Sequence, residues 1–405
     1  MKKICIAAIG TRGDIVPMLA LSKILADPAQ ITFVTSPDHI RLCRENHVAC
    51  YPVGDDFSKV AGSGDIAYYR NQIREQFTAH RSVYENADVI IGGGLFYAGR
   101  TLAECFGKRY YHLFFTPQVL RSDQYAPAGV KEPFRGKAHN RLLWFKSITE
   151  NNLILKSLIN EQRKDLGLNP IRSVYRYFID RPGTVIALDD RLARVPQRYQ
   201  NYIPQIHTLR YEDRAPLDEA LQAFLQKGGK PVLINFGSAG YTAKAFPSLL
   251  KHTIDAARSL GRRIVVISEP PTDEIGQQED VIFCGYAPHP ALLPKVEAII
   301  HHGGIGTVCA ALKCATPQII VAQGMDQYFF AEIVDREQWG KAVYSDSWNY
   351  QAQLKDVLGE TQNDRAIRES VQGISEWMNG EQYREEGMRK LRAAMPACFG
   401  ENRSS

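Results

Sequence analysis

A chain of 405 residues is too long for one ordinary core and fits two domains of roughly 200 residues each. With 44% hydrophobic and 23% charged residues it has the composition of a folded globular protein, which excludes a disordered chain, and no apolar run is long enough for an integral membrane span. Forty-nine Lys and Arg against 44 Asp and Glu leave a net charge of +5, too mild for a nucleic-acid binder but compatible with an anionic substrate or with peripheral attraction to an anionic membrane.

Met1-Lys2-Lys3 and the apolar Ile4 to Ile9 look superficially like an export signal. Arg12 and Asp14 cut the apolar run short, so it reads as a buried first strand and no export is expected. The eight cysteines include no Cys-x-x-Cys pair, and free thiols in a reducing, cytoplasmic setting are the expectation. After Gly10-Thr11-Arg12-Gly13-Asp14, apolar residues at Ile15, Met18, Leu19, Leu21, Ile24 and Leu25 recur at helical spacing, with Pro17 tolerable in a first turn. Asp14 is a favoured residue for capping that helix. Ile31 to Thr35 then completes a βαβ opening. A nicotinamide dinucleotide is excluded, because the loop lacks Gly-x-Gly-x-x-Gly and the second strand ends Thr35-Ser36-Pro37 without a carboxylate for ribose.

Further alternation follows. Leu42 to His47 reads as helix, Ser58 to Asp65 as loop, Tyr68 to Asn86 as one long helix, Val89 to Ile91 as a strand entering Gly92-Gly93-Gly94, and Tyr110 to Phe115 as another strand. Pro117, Pro127 and Pro133 break the pattern before a helix over Leu142 to Leu166. Trp144, Phe145 and Leu153 to Leu158 make that helix bulky and apolar, as the wall of an acceptor pocket or a packed insertion would be. Thr184 to Leu188 reads as the last strand of the first domain, and the Pro-containing run from Tyr202 to Pro216 as a linker.

The second half restarts with the strand Pro231 to Phe236, ending at Gly237-Ser238, then a helix through Ala257 and a strand over Arg263 to Ile267. Val281 to Cys284 leads into Gly285-Tyr286-Ala287-Pro288-His289. Ala298-Ile299-Ile300-His301 runs into His302-Gly303-Gly304-Ile305-Gly306-Thr307, a strand entering a helix N-terminus. Free N–H groups, glycines that permit close approach and the positive end of a helix dipole suit an anion there, and His302 can add a hydrogen bond or a charge. Pro317-Gln318 and Asp326-Gln327 follow, and Ile367 to Met395 reads as helix broken near Gly380.

The string from His302 to Thr307 with Pro317-Gln318 and Asp326-Gln327, together with Gly10-Thr11-Arg12-Gly13-Asp14 and Pro17, resembles the inverting glycosyltransferases of the UDP-glycosyltransferase superfamily, in its bacterial antibiotic, sterol and lipid branch. The resemblance implies the α/β GT-B fold, two Rossmann-like doubly wound parallel-sheet domains facing across a cleft. It implies an acceptor-binding domain over residues 1–207, a linker at 208–216, a nucleotide-sugar domain at 217–380, and a final helix at 381–405 crossing back to the first domain. Asp14 is expected as general base beside the acceptor hydroxyl, the acceptor being a small molecule or lipid. Donor binding is expected from Gly13, Gly237, Ser238, Tyr286, Ala287, His289, His302, Gly304, Gly306 and Thr307, with Asp326 and Gln327 reading the sugar. Tyr286 and His289 stand where plant relatives carry a base-stacking tryptophan and a glutamine, and Ala310 replaces a ribose-binding glutamate. A thymidine diphosphate (dTDP) sugar is therefore as plausible as a uridine (UDP) one. Neither a metal nor a resident cofactor is expected. A nucleotide-sugar epimerase or hydrolase, and a non-catalytic partner of a transferase, remain alternatives on the same fold.

Overall fold

All six residues of β1 (Ile4–Ile9) are buried, as a strand covered on both faces requires. Around it forms a seven-stranded, wholly parallel sheet with β2 (Ile31–Thr35), β3 (Ala49–Pro52), β4 (Val89–Gly94), β5 (Arg109–Phe114), β6 (Thr184–Ala187) and β7 (Gln205–Ile206), in the order β3-β2-β1-β4-β5-β6-β7. A second parallel sheet joins β8 (Val232–Asn235), β9 (Ile264–Ile267), β10 (Val281–Cys284), β11 (Ala298–His301), β12 (Gln318–Ala322) and β13 (Gly340–Tyr344), in the order β10-β9-β8-β11-β12-β13. The computed structural model describes residues 2–25, 30–63, 65–211, 213, 215–237, 246–268, 279–345, 347 and 349–400.

The chain divides into two compact units. One comprises Met1–Pro127, Pro133–Tyr211 and Glu385–Ser405, the other Ala128–Glu132 and Glu212–Arg384. Each has its own core, built on Ile90, Phe96, Tyr84 and Leu158 in the first and on Ile234, Val266, Ile300 and Leu354 in the second.

Several elements differ from the sequence reading. The expected loop after Phe57 is a helix, Phe57–Ser63. Asp56 starts it by accepting the backbone N–H groups of Lys59 and Val60 and by pairing with Lys59 Nζ at 2.8 Å. The expected long helix to Asn86 is two helices, Ile66–Thr78 and Arg81–Asn86. His80 separates them in the left-handed region, φ 52°, with its Nε2 2.7 Å from the Pro52 carbonyl. The first sheet does not end at Thr184–Ala187, because Gln205–Ile206, inside the supposed linker, pairs with it as β7.

In both sheets the strand order reverses at the same step, between β1 and β4 in the first and between β8 and β11 in the second. Ligands of doubly wound sheets bind outside the carboxyl ends of the strands at such a switch point. The loop Gly10–Asp14 follows β1, and Gly94 ends β4. Gly237 follows β8, and His302-Gly303-Gly304 follows β11.

Candidate functional site

In the first unit the helix Arg12–Leu25 begins directly after β1. Asp14 is its third residue, so the expectation that Asp14 is the cap is corrected: Thr11 stands at the cap position. The two residues bond reciprocally with the helix start. Asp14 Oδ2 accepts the Thr11 N–H at 2.9 Å and the Thr11 hydroxyl at 3.2 Å, while Thr11 Oγ1 accepts the Gly13 N–H at 3.2 Å. This is a capping box, with the acid turned back toward the cap residue. The box occupies Oδ2 and leaves Oδ1 without a recorded hydrogen bond among the described residues. Glycines make room for the carboxylate: a Cβ at Gly10 would overlap it, and one at Gly94 would lie 3.2 Å from its Cγ.

Burial pushes the Asp14 carboxyl up to about 6, against the opposing hydrogen bonds from Thr11 and the nearby His39. The sequence reading had not singled out His39. Its Nε2 lies 3.0 Å from the Gly10 carbonyl, which pins the loop behind Asp14. Nothing local marks it, since it reaches the loop from a short turn after β2. Gly13 is exposed at the surface of the same turn.

In the second unit β11 delivers two adjacent histidines with different tasks. His301 is fully buried; its Nε2 bonds Gln318 Oε1 at 2.9 Å and its Nδ1 accepts the Gly303 N–H at 3.1 Å. Burial lowers it to about 3, so it is a neutral brace for the turn. His302 is lowered to about 4, chiefly by burial, with the Asn235 carbonyl opposing. Its ring is packed between two glycines. A Cβ on Gly237 would lie 2.6 Å from Cε1, and one on Gly304 2.5 Å from Nε2. Nδ1 is buried and lacks a well-formed hydrogen bond.

Gly304 begins the helix Ile305–Lys313 without a side-chain cap. The Thr307 and Val308 N–H groups turn back onto the Gly304 carbonyl at 3.0 and 3.1 Å, and no partner is recorded for the N–H groups of Ile305 and Gly306 among the described residues. A Cβ at Gly306 would point into open space. An uncapped helix start with glycine beside it is what an anion needs.

Tyr286 is 52% exposed and its hydroxyl bonds the Asp213 carboxylate. Ala287 is buried. His289 Nε2 accepts from Asn235 Nδ2 at 3.0 Å, and Asn235 Oδ1 accepts the Gly237 N–H at 3.0 Å. That chain ties the loop after β10 to the loop after β8. Ser238 lies outside the described residues.

Asp326 and Gln327 open the helix Gln327–Arg336. Gln327 Oε1 accepts the N–H groups of Gln323 and Gly324, at 2.9 and 3.2 Å, so the amide oxygen already holds the loop and Nε2 is the group left. Met325, 67% exposed, takes φ 52°. Its carbonyl accepts the Gly129 N–H at 2.9 Å, from the short segment Ala128–Glu132 that the second unit draws from the first half of the chain. Sequence spacing carries no sign of that visit.

Residues 251–393 match a family model described as erythromycin biosynthesis protein CIII-like, C-terminal domain. Among curated proteins, a vancomycin aglycone glucosyltransferase of Amycolatopsis orientalis is 29% identical over 344 residues, covering 81% of this chain and 83% of that protein. A sterol 3-beta-glucosyltransferase of Arabidopsis thaliana is 25% identical over 391 residues, 84% of this chain and 58% of that one. Among solved structures, the spinosyn forosaminyltransferase SpnP superposes with a TM-score of 0.72 at 14% identity over 99% of this chain and all of that one. The glycosyltransferase VinC in complex with dTDP gives 0.66 at 17% identity over 98% and 99%. Two Rossmann-like parallel-sheet units with the GT-B fold and these relatives make the chain a glycosyltransferase, similar to members of the UDP-glycosyltransferase superfamily.

Proposed function

We propose that this enzyme transfers a hexose from a UDP- or dTDP-sugar to a hydroxyl of a small lipophilic acceptor, with inversion at the sugar carbon and Asp14 as general base. The observation that carries the reading is the state of Asp14. At a sheet switch point, one carboxylate oxygen is held by Thr11 while the other has no hydrogen bond among the described residues, and burial raises the group to about 6. A base of that strength is ionised at neutral pH and takes a proton more readily than an ordinary aspartate.

The donor diphosphate is assigned to the helix start at Gly304, Ile305 and Gly306, beside His302 and Thr307, with the base on Tyr286 and the sugar toward Asp326 and Gln327 Nε2. The acceptor is assigned to the first unit. As the acceptor oxygen attacks the sugar carbon, its proton passes to Asp14 Oδ1 and the bond to the diphosphate breaks. Helix N–H groups take up the negative charge on the leaving group. Asp14→Asn keeps the size of the side chain and an oxygen for the Thr11 N–H but cannot accept the proton. Its transfer rate should fall roughly 100-fold to 10,000-fold, with dTDP or UDP affinity unchanged. Near-normal turnover by that variant, or a product that retains the donor's anomeric configuration, overturns the mechanism.

A further inference from the structure

The helix Lys137–Asp165 of the first unit carries two apolar faces. Trp144, Leu155, Leu158 and Ile159 are buried in the protein. On the outer side Leu142, Phe145 and Leu153 are 65%, 67% and 75% exposed. Their spacing, with Thr149 between the last two, follows i, i+3, i+7, i+11, which lays them in one stripe along the helix. Phe134, just ahead of the helix, adds a ring that is 37% exposed. Single exposed apolar residues are ordinary, but three large ones aligned on one helix face, interrupted only by Thr149, are not.

The charges around the stripe have one predominant sign. From residue 135 to 156 the chain carries Arg135, Lys137, Arg141, Lys146 and Lys156 against the single carboxylate of Glu150. Lys146 and Lys156 fall on the same arc as the apolar stripe at 100° per residue, and Glu150 falls to its side. The ion pairs in reach, Lys146 with Glu150 at 3.8 Å and Arg141 with Asp123 at 3.2 Å, lie at the surface, where such pairs are weak and exchange readily. Apolar side chains pointing outward with lysines beside them match the acyl boundary and headgroups of an anionic bilayer, the lysines reaching up to the phosphates.

We infer that the outer face of the helix Lys137–Asp165 docks the enzyme on an anionic lipid surface, Leu142, Phe145 and Leu153 entering the interface and Lys146 and Lys156 contacting the headgroups. The inference does not depend on the roles given to Asp14 or His302. The test is co-sedimentation of the full chain with vesicles, either pure phosphatidylcholine or about one-third phosphatidylserine. The chain is expected to pellet at least about tenfold better with the anionic vesicles, and about 0.5 M salt should remove most of the difference. Leu142→Ser/Phe145→Ser/Leu153→Ser should lower partitioning at least about 30-fold. Lys146→Glu/Lys156→Glu should abolish the preference for the anionic lipid. If the triple variant melts early, the charge pair and the salt series decide. Equal sedimentation with both lipids, no sedimentation with either, wild-type partitioning by the charge variant, or a dimer in light scattering that the triple variant splits each overturns the proposal.

Discussion

On the proposed mechanism Asp14 joins stability to catalysis in one side chain. Its folded value near 6 is above the roughly 3.9 of a free aspartate, so the native state holds the proton more tightly than the unfolded state. Stability therefore falls as pH rises from about 4 to 6, and the ionised form is the destabilised one. The same carboxylate must be ionised to accept a proton. Turnover with saturating donor should accordingly drop about tenfold per pH unit below about 6 and level off above it. Asp14→Asn should remove the corresponding slope from the melting temperature between about pH 4 and 6. A wild-type profile with no inflection near 6, or an unchanged melting slope in the variant, contradicts the assignment. On the proposed donor assignment Gln327 divides two tasks within one amide, its oxygen holding the loop and its NH2 meeting the sugar. Gln327→Glu keeps an oxygen for the Gln323 and Gly324 N–H groups and loses only the NH2, so it should weaken the sugar nucleotide while leaving the melting temperature nearly intact. Gln327→Ala strands two backbone donors at about 1 to 3 kcal/mol each if they stay buried. It should lower stability and sugar-nucleotide affinity together, as calorimetry and titration would read.

The turn from β11 into the helix Ile305–Lys313 depends on what is missing from it. His302 occupies space that a Cβ at Gly237 or Gly304 would take. Gly237 has φ 69° and would also strain any other residue, whereas Gly304, at φ −63°, tests sterics alone. Gly304→Ala should push the His302 ring aside and weaken a nucleoside diphosphate about 10-fold to 100-fold, with a melting shift of only a few degrees without ligand. Unchanged affinity in titration calorimetry would place the diphosphate elsewhere. This element was legible in advance because an apolar run, a histidine, three glycines and a helical pattern are all local. The sequence reading gave the anion to His302 and left His301 as a strand end with no task, although strand alternation puts neighbouring side chains on opposite faces, and that signal separates the brace from the residue beside the helix start.

The chain visits each unit more than once, and stability should show it. Glu385–Ser405 belongs to the first unit, where Leu391, Met395 and Cys398 are buried, Lys390 Nζ lies 3.2 Å from Asp190, and the Ala397 N–H reaches the Tyr111 hydroxyl at 3.4 Å. Leu391→Ala should cost the first unit about 2 to 5 kcal/mol. A pyrimidine nucleoside diphosphate at a hundred times its dissociation constant should add about 2.7 kcal/mol to the second. In urea the two perturbations should move different transitions when both are resolved by tryptophan fluorescence and circular dichroism. A Leu391→Ala chain whose nucleotide-responsive transition shifts instead would assign the C-terminal segment to the wrong core.

Sequence by itself determined the parallel α/β class, the two-sheet plan and the position of the histidine-glycine turn. Each rests on short-range pattern: apolar runs too continuous for a half-exposed strand, breaks at glycine, and helical spacing directly after. It did not yield the helix Phe57–Ser63, the strand Gln205–Ile206 or the break at His80. The first contains Gly62 and Ser63, the second is two residues long, and the third depends on the Pro52 carbonyl, 28 residues away. Only tertiary structure moved the cap from Asp14 to Thr11 and brought His39 to the Gly10 carbonyl. It also gave Gln327's oxygen to its own loop and carried Gly129 to Met325. Contacts between distant segments decide His39 and Gly129, whereas the cap and the Gln327 bonds join residues three or four apart, and residue type alone does not encode which of several possible partners will meet.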